Sequence, residues 1–250
     1  MRKLVLTLLL SLFFMQIYAA KEIKPYAYAD DRSLEIFTVP EGIEKIGEYA
    51  FLGCTNLKEI SLPSSLKEIG EGAFRECSSL EKLIIPDGVK VIPAYMCAWN
   101  SSLREVKLPH RLEDLGRIAF GYCGNLREIN LPNTLKHIGP NAFNECVSLK
   151  EIRVPDSMNE LESYAFAGCT NLLKATLPAN PKMLGELLFI GCNNLKEIVC
   201  LSPQPPTFDC DSPLFDPYED YMYERCRLVT LPKTEKLFKR APVWNLFFKN

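Results

Sequence analysis

The stretch Phe51-Leu52-Gly53-Cys54-Thr55-Asn56-Leu57-Lys58-Glu59-Ile60-Ser61-Leu62-Pro63 returns almost word for word along this chain, and its period decides the fold. Proline closes each copy at Pro40, Pro63, Pro86, Pro109, Pro132, Pro155 and Pro178, a constant step of 23 residues. Cysteine keeps the step at Cys54, Cys77, Cys123, Cys146, Cys169 and Cys192, and leucine keeps it at Leu57, Leu80, Leu103, Leu126, Leu149, Leu172 and Leu195. A fixed period of this size over most of a chain is the signature of a solenoid, in which each unit contacts only its neighbours. The 250 residues therefore read as one elongated unit rather than two compact domains.

Each unit has three parts. A short strand comes first, as in residues 58–62, where Ile60 and Leu62 alternate with Glu59 and Ser61 at period two. It ends at the proline, which offers no N–H to a ladder and so suits a strand end. Apolar positions such as Leu66 and Ile69 follow, then a glycine at Gly47, Gly70, Gly116, Gly139 and Gly185, which we expect to turn the backbone. A small residue and an aromatic complete the unit, as in Ala50-Phe51, Ala73-Phe74, Ala119-Phe120, Ala142-Phe143 and Ala165-Phe166, on a short helical turn leading to the cysteine. Stacking places strands roughly 4.8 Å apart in a parallel sheet. Ile60, Leu83, Val106, Ile129 and Ile152 then form one buried column and the phenylalanines another. Burial between neighbours stabilises the stack by roughly 1.5 to 3 kcal/mol per large apolar side chain.

The first twenty residues carry Arg2 and Lys3, an apolar run from Leu4 to Phe14 and small residues at Ala19 and Ala20, the pattern of a secretory signal peptide. The run is too short for a spanning helix, and no later stretch is apolar over the length a bilayer demands. Cleavage after Ala19 or Ala20 removes two positive charges and takes the net charge from -2 to -4. Such a balance argues against nucleic acid as a partner, because binding it needs a basic surface. Residues 21–40 read as an N-terminal cap and first strand, with Asp31 in the slot that later holds cysteine. Residues 41–200 carry the repeats. Residues 201–250 read as a closing unit: Ser202-Pro203-Gln204-Pro205-Pro206, a loop, a strand near Leu228 to Leu231, and a helical segment from Lys236 to Phe247 whose Trp244 and Phe247 cover the core.

The irregular positions are the candidate sites. In the unit at 96–100 the alanine, phenylalanine and cysteine slots hold Met96, Cys97 and Asn100, a volume-conserving exchange in which Met96 refills what Cys97 vacates. Trp99 lies one repeat from Tyr122, so the two should be neighbours on an outer turn, as a binding anchor or as packing. The recurring cysteines face a shared interior with parallel side-chain vectors, poor geometry for disulfides, and read as free buried thiols. Cys200, Cys210 and Cys226 are the better candidates for a bridge. No metal site is indicated: there is no C-x-x-C pair, and His110 and His137 lie on different turns. The loop from Asp209 to Tyr223 is acidic and aromatic, but it lacks the ligand spacing and turn glycine of a calcium loop and reads as solvated. No nucleophile, base and orienting group converge, so the chain reads as a non-enzyme without cofactor. Asn100-Ser101-Ser102 fits the N-linked acceptor pattern, and Asp156-Ser157-Met158 resembles a bacterial O-glycosylation acceptor.

The unit from Ile46 to Pro63 resembles the leucine-rich repeats of the BspA-like subfamily, whose units read approximately I-G-x-x-A-F-x-x-C-x-x-L-x-x-I-x-L-P. The resemblance covers about residues 34 to 200 in period, cysteine, proline and phenylalanine. It implies an α/β repeat: a curved leucine-rich-repeat solenoid with one parallel sheet, short helical or irregular turns on the other side, and terminal caps. It also implies a secreted or surface-exposed bacterial protein linked to adhesion, with a host matrix protein or another cell surface as partner. Fold transfers through such a resemblance better than function does.

The outward face of the sheet is the candidate binding surface, since solenoids bind through extended surfaces. Its residues include Glu59, Lys82, Glu105, Lys107, Glu128, Asn130, Glu151, Arg153 and Lys174, with Trp99 and Tyr122 added from the outer turn. Glu105, Glu128 and Glu151 stack as like charges beside Arg104, Arg127 and Lys150, with Lys107 and Arg153 across the row, an arrangement that suits an ion-paired solvated face. A protein-binding, adhesin-like module is the expectation, and a structural spacer within a surface assembly is the alternative.

Overall fold

Three-residue strands recur at the expected places in the computed structural model, which describes residues 21–249 apart from 159, 182, 209–213 and 217–220. They are Ile36–Thr38, Glu59–Ser61, Lys82–Ile84, Glu105–Lys107, Glu151–Arg153, Lys174–Thr176 and Glu197–Val199. Neighbours pair in parallel with a shift of one repeat, for instance Ile36 opposite Glu59 and Lys82 opposite Glu105. The middle residue of each strand points inward, so Ile60, Leu83, Val106, Ile129 and Ile152 are all buried, as expected from period two. Ladder pairing lapses at residues 128–130, between Glu105–Lys107 and Glu151–Arg153, although Ile129 keeps its place in the core.

The structure adds a second set of parallel ladders. The segment before the glycine forms two-residue strands, Glu22–Ile23, Lys45–Ile46, Glu68–Ile69, Val91–Ile92, Asp114–Leu115, His137–Ile138, Glu160–Leu161 and Met183–Leu184, again one repeat apart. The recurring glycine serves this packing. A Cβ at Gly70 would sit 2.4 Å from the backbone nitrogen of Glu48 in the preceding coil, and one at Gly47 2.4 Å from that of Pro25. None of Gly47, Gly70, Gly116, Gly139 and Gly185 has a positive φ, so close approach of coils, rather than the turning expected above, demands glycine.

The side expected to carry short helical or irregular turns is a run of tight turns. Two residues per coil take left-handed backbone, one column including Tyr49, Tyr95, Ile118 and Tyr164, the other Glu76, Trp99, Tyr122 and Glu145. Outside glycine such a conformation costs about 1 to 2 kcal/mol per residue. It persists because it aims each N–H at a carbonyl of the next coil, as from Tyr49 to Glu71 (2.8 Å) and from Tyr122 to Asn144 (2.7 Å). Local turn bonds alternate with these, such as Leu52 N–H to the Tyr49 carbonyl at 3.1 Å. All three sides of the coil are thus hydrogen-bonded to their neighbours.

One continuous core runs through the stack. Phenylalanines stack along it at centroid distances of 5.6 Å for Phe51 and Phe74, 5.7 Å for Phe120 and Phe143, and 5.6 Å for Phe143 and Phe166. Cys97 interrupts the column, and Met96 beside it is fully buried, as the volume exchange requires. After Glu197–Val199 the period breaks: the next strand, Arg227–Val229, pairs at a 30-residue offset from Glu197 to Arg227. A short helix at Tyr221–Arg225 occupies part of the segment expected to be loop, a second spans Glu235–Phe238, and a 3-10 turn spans Trp244–Phe248. Trp244 is fully buried, donates its Nε1–H to the Pro206 carbonyl at 2.8 Å, and meets Phe238 edge-on at 5.4 Å. The apolar leader, Cys210 and the acidic positions Asp209, Asp211, Glu219 and Asp220 lie outside the described residues.

Candidate functional site

The outward ends of the three-residue strands form one exposed face. Glu59, Lys82, Glu105, Lys107, Glu128, Asn130, Glu151 and Arg153 are exposed on it, and Lys174 is half-buried. Ion pairs cross from coil to coil: Lys58 to Glu35 at 2.8 Å, Lys82 to Glu105 at 2.7 Å and Lys174 to Glu197 at 2.8 Å, with Arg227 also on Glu197. Glu105 thus pairs with Lys82 of the preceding strand, while Arg104 reaches Glu81 at 3.9 Å. The Lys58 and Arg227 pairings hold the carboxyls of Glu35 and Glu197 below the usual range, for Glu197 together with Lys174 as the leading cause. These pairs are solvated and contribute little to stability, so they organise the face rather than hold the fold.

One feature of this face was not singled out from the sequence. Ile36 and Ile84 point outward, and with Glu59, Ser61 and Lys82 they line an open hollow of about 800 Å3. Ile84 shares the register of Lys107 and Arg153, and Ile36 fell in the presumed cap, where its alternation with Phe37 was the available signal.

Trp99 and Tyr122 are neighbours, stacked at 5.0 Å with their planes 6° apart. The Arg75 guanidinium covers the ring of Trp99 from the preceding coil, at 4.6 Å. Trp99 is therefore sandwiched and half-buried, and the partly exposed Tyr122 ring is the more accessible of the two.

The second ladder carries its own charge row. Glu44 is held between Lys21 (2.8 Å) and Lys67 (2.7 Å), which bring its carboxyl down to about 2. His137 sits between Asp114, 3.2 Å from Nδ1, and Glu162 on Nε2. Partial burial lowers the imidazole pKa, but the two carboxylates outweigh it and raise it. Asp114 was readable from the register, one repeat before His137. Glu162 was hidden because it occupies a glycine slot, one repeat after Gly139.

The cysteines corroborate part of the reading and correct part. All nine described ones are free and buried. The recurring thiols also act as donors: Cys77 Sγ reaches the Phe51 carbonyl at 3.1 Å and Cys146 Sγ the Phe120 carbonyl at 3.1 Å, each 26 residues back. Burial pushes Cys123 and Cys169 up to about 12, which removes thiolate nucleophilicity. The bridge considered for the closing unit does not form between Cys200 and Cys226, both free thiols four positions out of register, since Ile198 rather than Cys200 aligns with Leu228. Asn100 fills a cysteine slot with its side-chain amide fully buried and without a hydrogen-bond partner, so the folded chain offers no glycan acceptor there. Ser157 directs its hydroxyl to the Leu135 carbonyl at 2.7 Å. Among the described residues no cluster of three or more His, Cys, Asp or Glu could hold a metal ion, and no helix is long and apolar enough to cross a membrane.

The family model for the BspA type leucine rich repeat region matches residues 21–127 and 113–205 in six copies. Among solved structures, a Treponema pallidum leucine rich repeat protein is 31% identical over 70% of this chain and 71% of its own, with a TM-score of 0.48. A leucine rich cell surface protein from Faecalibacterium prausnitzii is 23% identical over 72% of this chain and 64% of its own, at a TM-score of 0.47. The pneumococcal vaccine antigen PcpA is 20% identical, covering 88% and 68%, at 0.43. No curated protein matches. The family model spans most of the described solenoid, and the chain belongs to the BspA-type leucine-rich-repeat family.

Proposed function

We propose that this chain is an exported, adhesin-like module that binds a protein partner through the outward face of its three-residue strands, the partner being a host matrix protein or another cell's surface. The observation that carries this reading is the face itself. Equivalent exposed residues repeat along it, mixed in charge and cross-paired, beside an open apolar hollow. Such a surface offers a partner electrostatic complementarity together with apolar area to bury. Among its described residues the same face has no aromatic platform, which favours protein over carbohydrate. A leader of signal-peptide pattern and a relative described as a cell surface protein support export.

The test is a pull-down of the purified chain against matrix proteins and surface extracts, repeated with Glu105, Glu128 and Glu151 all changed to Lys. Saturable binding that the triple variant loses supports the proposal. Binding that survives shifts the site to Trp99 and Tyr122, and absence of any binding favours the spacer role.

A further inference from the structure

The hollow around Ile36 and Ile84 supports a narrower reading, which rests on the strand face being the binding surface. Both isoleucines are outward and largely in water, 68% and 50% exposed, where other coils place Glu105, Lys107 or Arg153. They lie diagonally, two coils and two residues apart. Ladder geometry puts them about 10 Å apart across the strands and about 6.6 Å along them, or about 12 Å in all. Glu59 lies between, opposite Ile36 on one side and Lys82 on the other.

The Glu59 carboxylate is uncommitted: the backbone N–H of Glu59 donates to the Glu35 carbonyl at 3.3 Å, but among the described residues its side chain has no hydrogen bond or ion pair. The cations nearest in sequence and register are occupied, Lys58 by Glu35 at 2.8 Å and Lys82 by Glu105 at 2.7 Å. The hollow thus presents one free carboxylate between two exposed apolar side chains.

We infer that it binds an extended segment of a partner protein with the pattern apolar-x-basic-x-apolar. In an extended chain residues i, i+2 and i+4 share a face and span about 13 Å, which matches the diagonal from Ile36 to Ile84. The central Lys or Arg of the segment meets Glu59, and the flanking apolar side chains cover the two isoleucines and remove them from water. An acidic central residue would instead face Glu59, so charge sets the discrimination.

The experiment measures fluorescence polarisation of a labelled peptide with the core Val-Thr-Lys-Thr-Val against the purified protein, beside the same peptide with Glu in place of Lys. The Lys peptide should saturate and the Glu peptide should not. Glu59→Lys should weaken the Lys peptide at least tenfold and admit the Glu peptide. Ile36→Ser and Ile84→Ser, both at exposed positions where folding is little affected, should each weaken it at least threefold. No saturable binding up to about 1 mM, or binding indifferent to Glu59→Lys or to both isoleucine changes, overturns the inference. Because matrix pull-down does not use this peptide, the broader binding role can succeed while this assignment fails.

Discussion

At the scale of single residues, the repeat is enforced by contacts that tolerate almost no change. Gly70 shows this: a methyl group there would overlap the Glu48 backbone of the preceding coil, and backbone cannot rotate away as a side chain can. Gly70→Ala should therefore destabilise by about 1 to 3 kcal/mol, as overpacking does, measured by the midpoint of urea unfolding. Asn100 is the opposite case, a natural residue that weakens its position. Its amide is buried without a partner, where the equivalent cysteines donate to a carbonyl 26 residues back. Asn100→Cys restores a donor of suitable size and should stabilise by about 1 to 3 kcal/mol, the cost of leaving a buried polar group unsatisfied. A stabilised variant with unchanged unfolding slope would show that the repair is local.

At the scale of elements, the two ladders do different work. The three-residue strands present the exposed face, whereas the two-residue strands carry a tighter charge row, with His137 clamped between Asp114 and Glu162. Because its folded pKa is raised above the unfolded value, the protonated imidazole contributes stability that is fully present below the unfolded value of about 6.5 and is lost as pH rises through the folded one. Unfolding free energies measured from pH 5 to 9 should thus fall for the wild type relative to His137→Gln as the pH rises. A constant difference across that range would show that His137 carries no such charge. The turn side contributes a third ladder: left-handed residues such as Trp99 and Tyr122 donate across coils, and their side chains stack as a consequence.

At the scale of the whole molecule, the core is one continuous stack of parallel columns of equivalent side chains, and access to it needs coils to separate. Cys54, Cys77, Cys97, Cys123, Cys146, Cys169, Cys192, Cys200 and Cys226 are all buried. Under native conditions these thiols should resist iodoacetamide, and in denaturant all should alkylate, read by intact mass. Labelling of the central cysteines in the native protein would contradict a continuously packed solenoid. The Pro-rich exit and the 30-residue offset to Arg227–Val229 end the stack, where Trp244 packs against Phe208 and Phe238 instead of another repeat.

The period, the parallel strands, the buried isoleucine and phenylalanine columns and the free thiols were all legible in the sequence, because a 23-residue register makes every coil report on its neighbours. That register also placed Glu105, Lys107 and Arg153 outward and brought Trp99 to Tyr122. Tertiary structure decided what depends on distance between coils. The glycine column exists for close approach of two backbones, which no single unit reveals. Two-residue strands are too short to announce themselves by alternation. The pairing of Lys82 with Glu105 and of His137 with Glu162 required side chains to choose among several register neighbours, and that choice is made by reach and burial rather than by spacing.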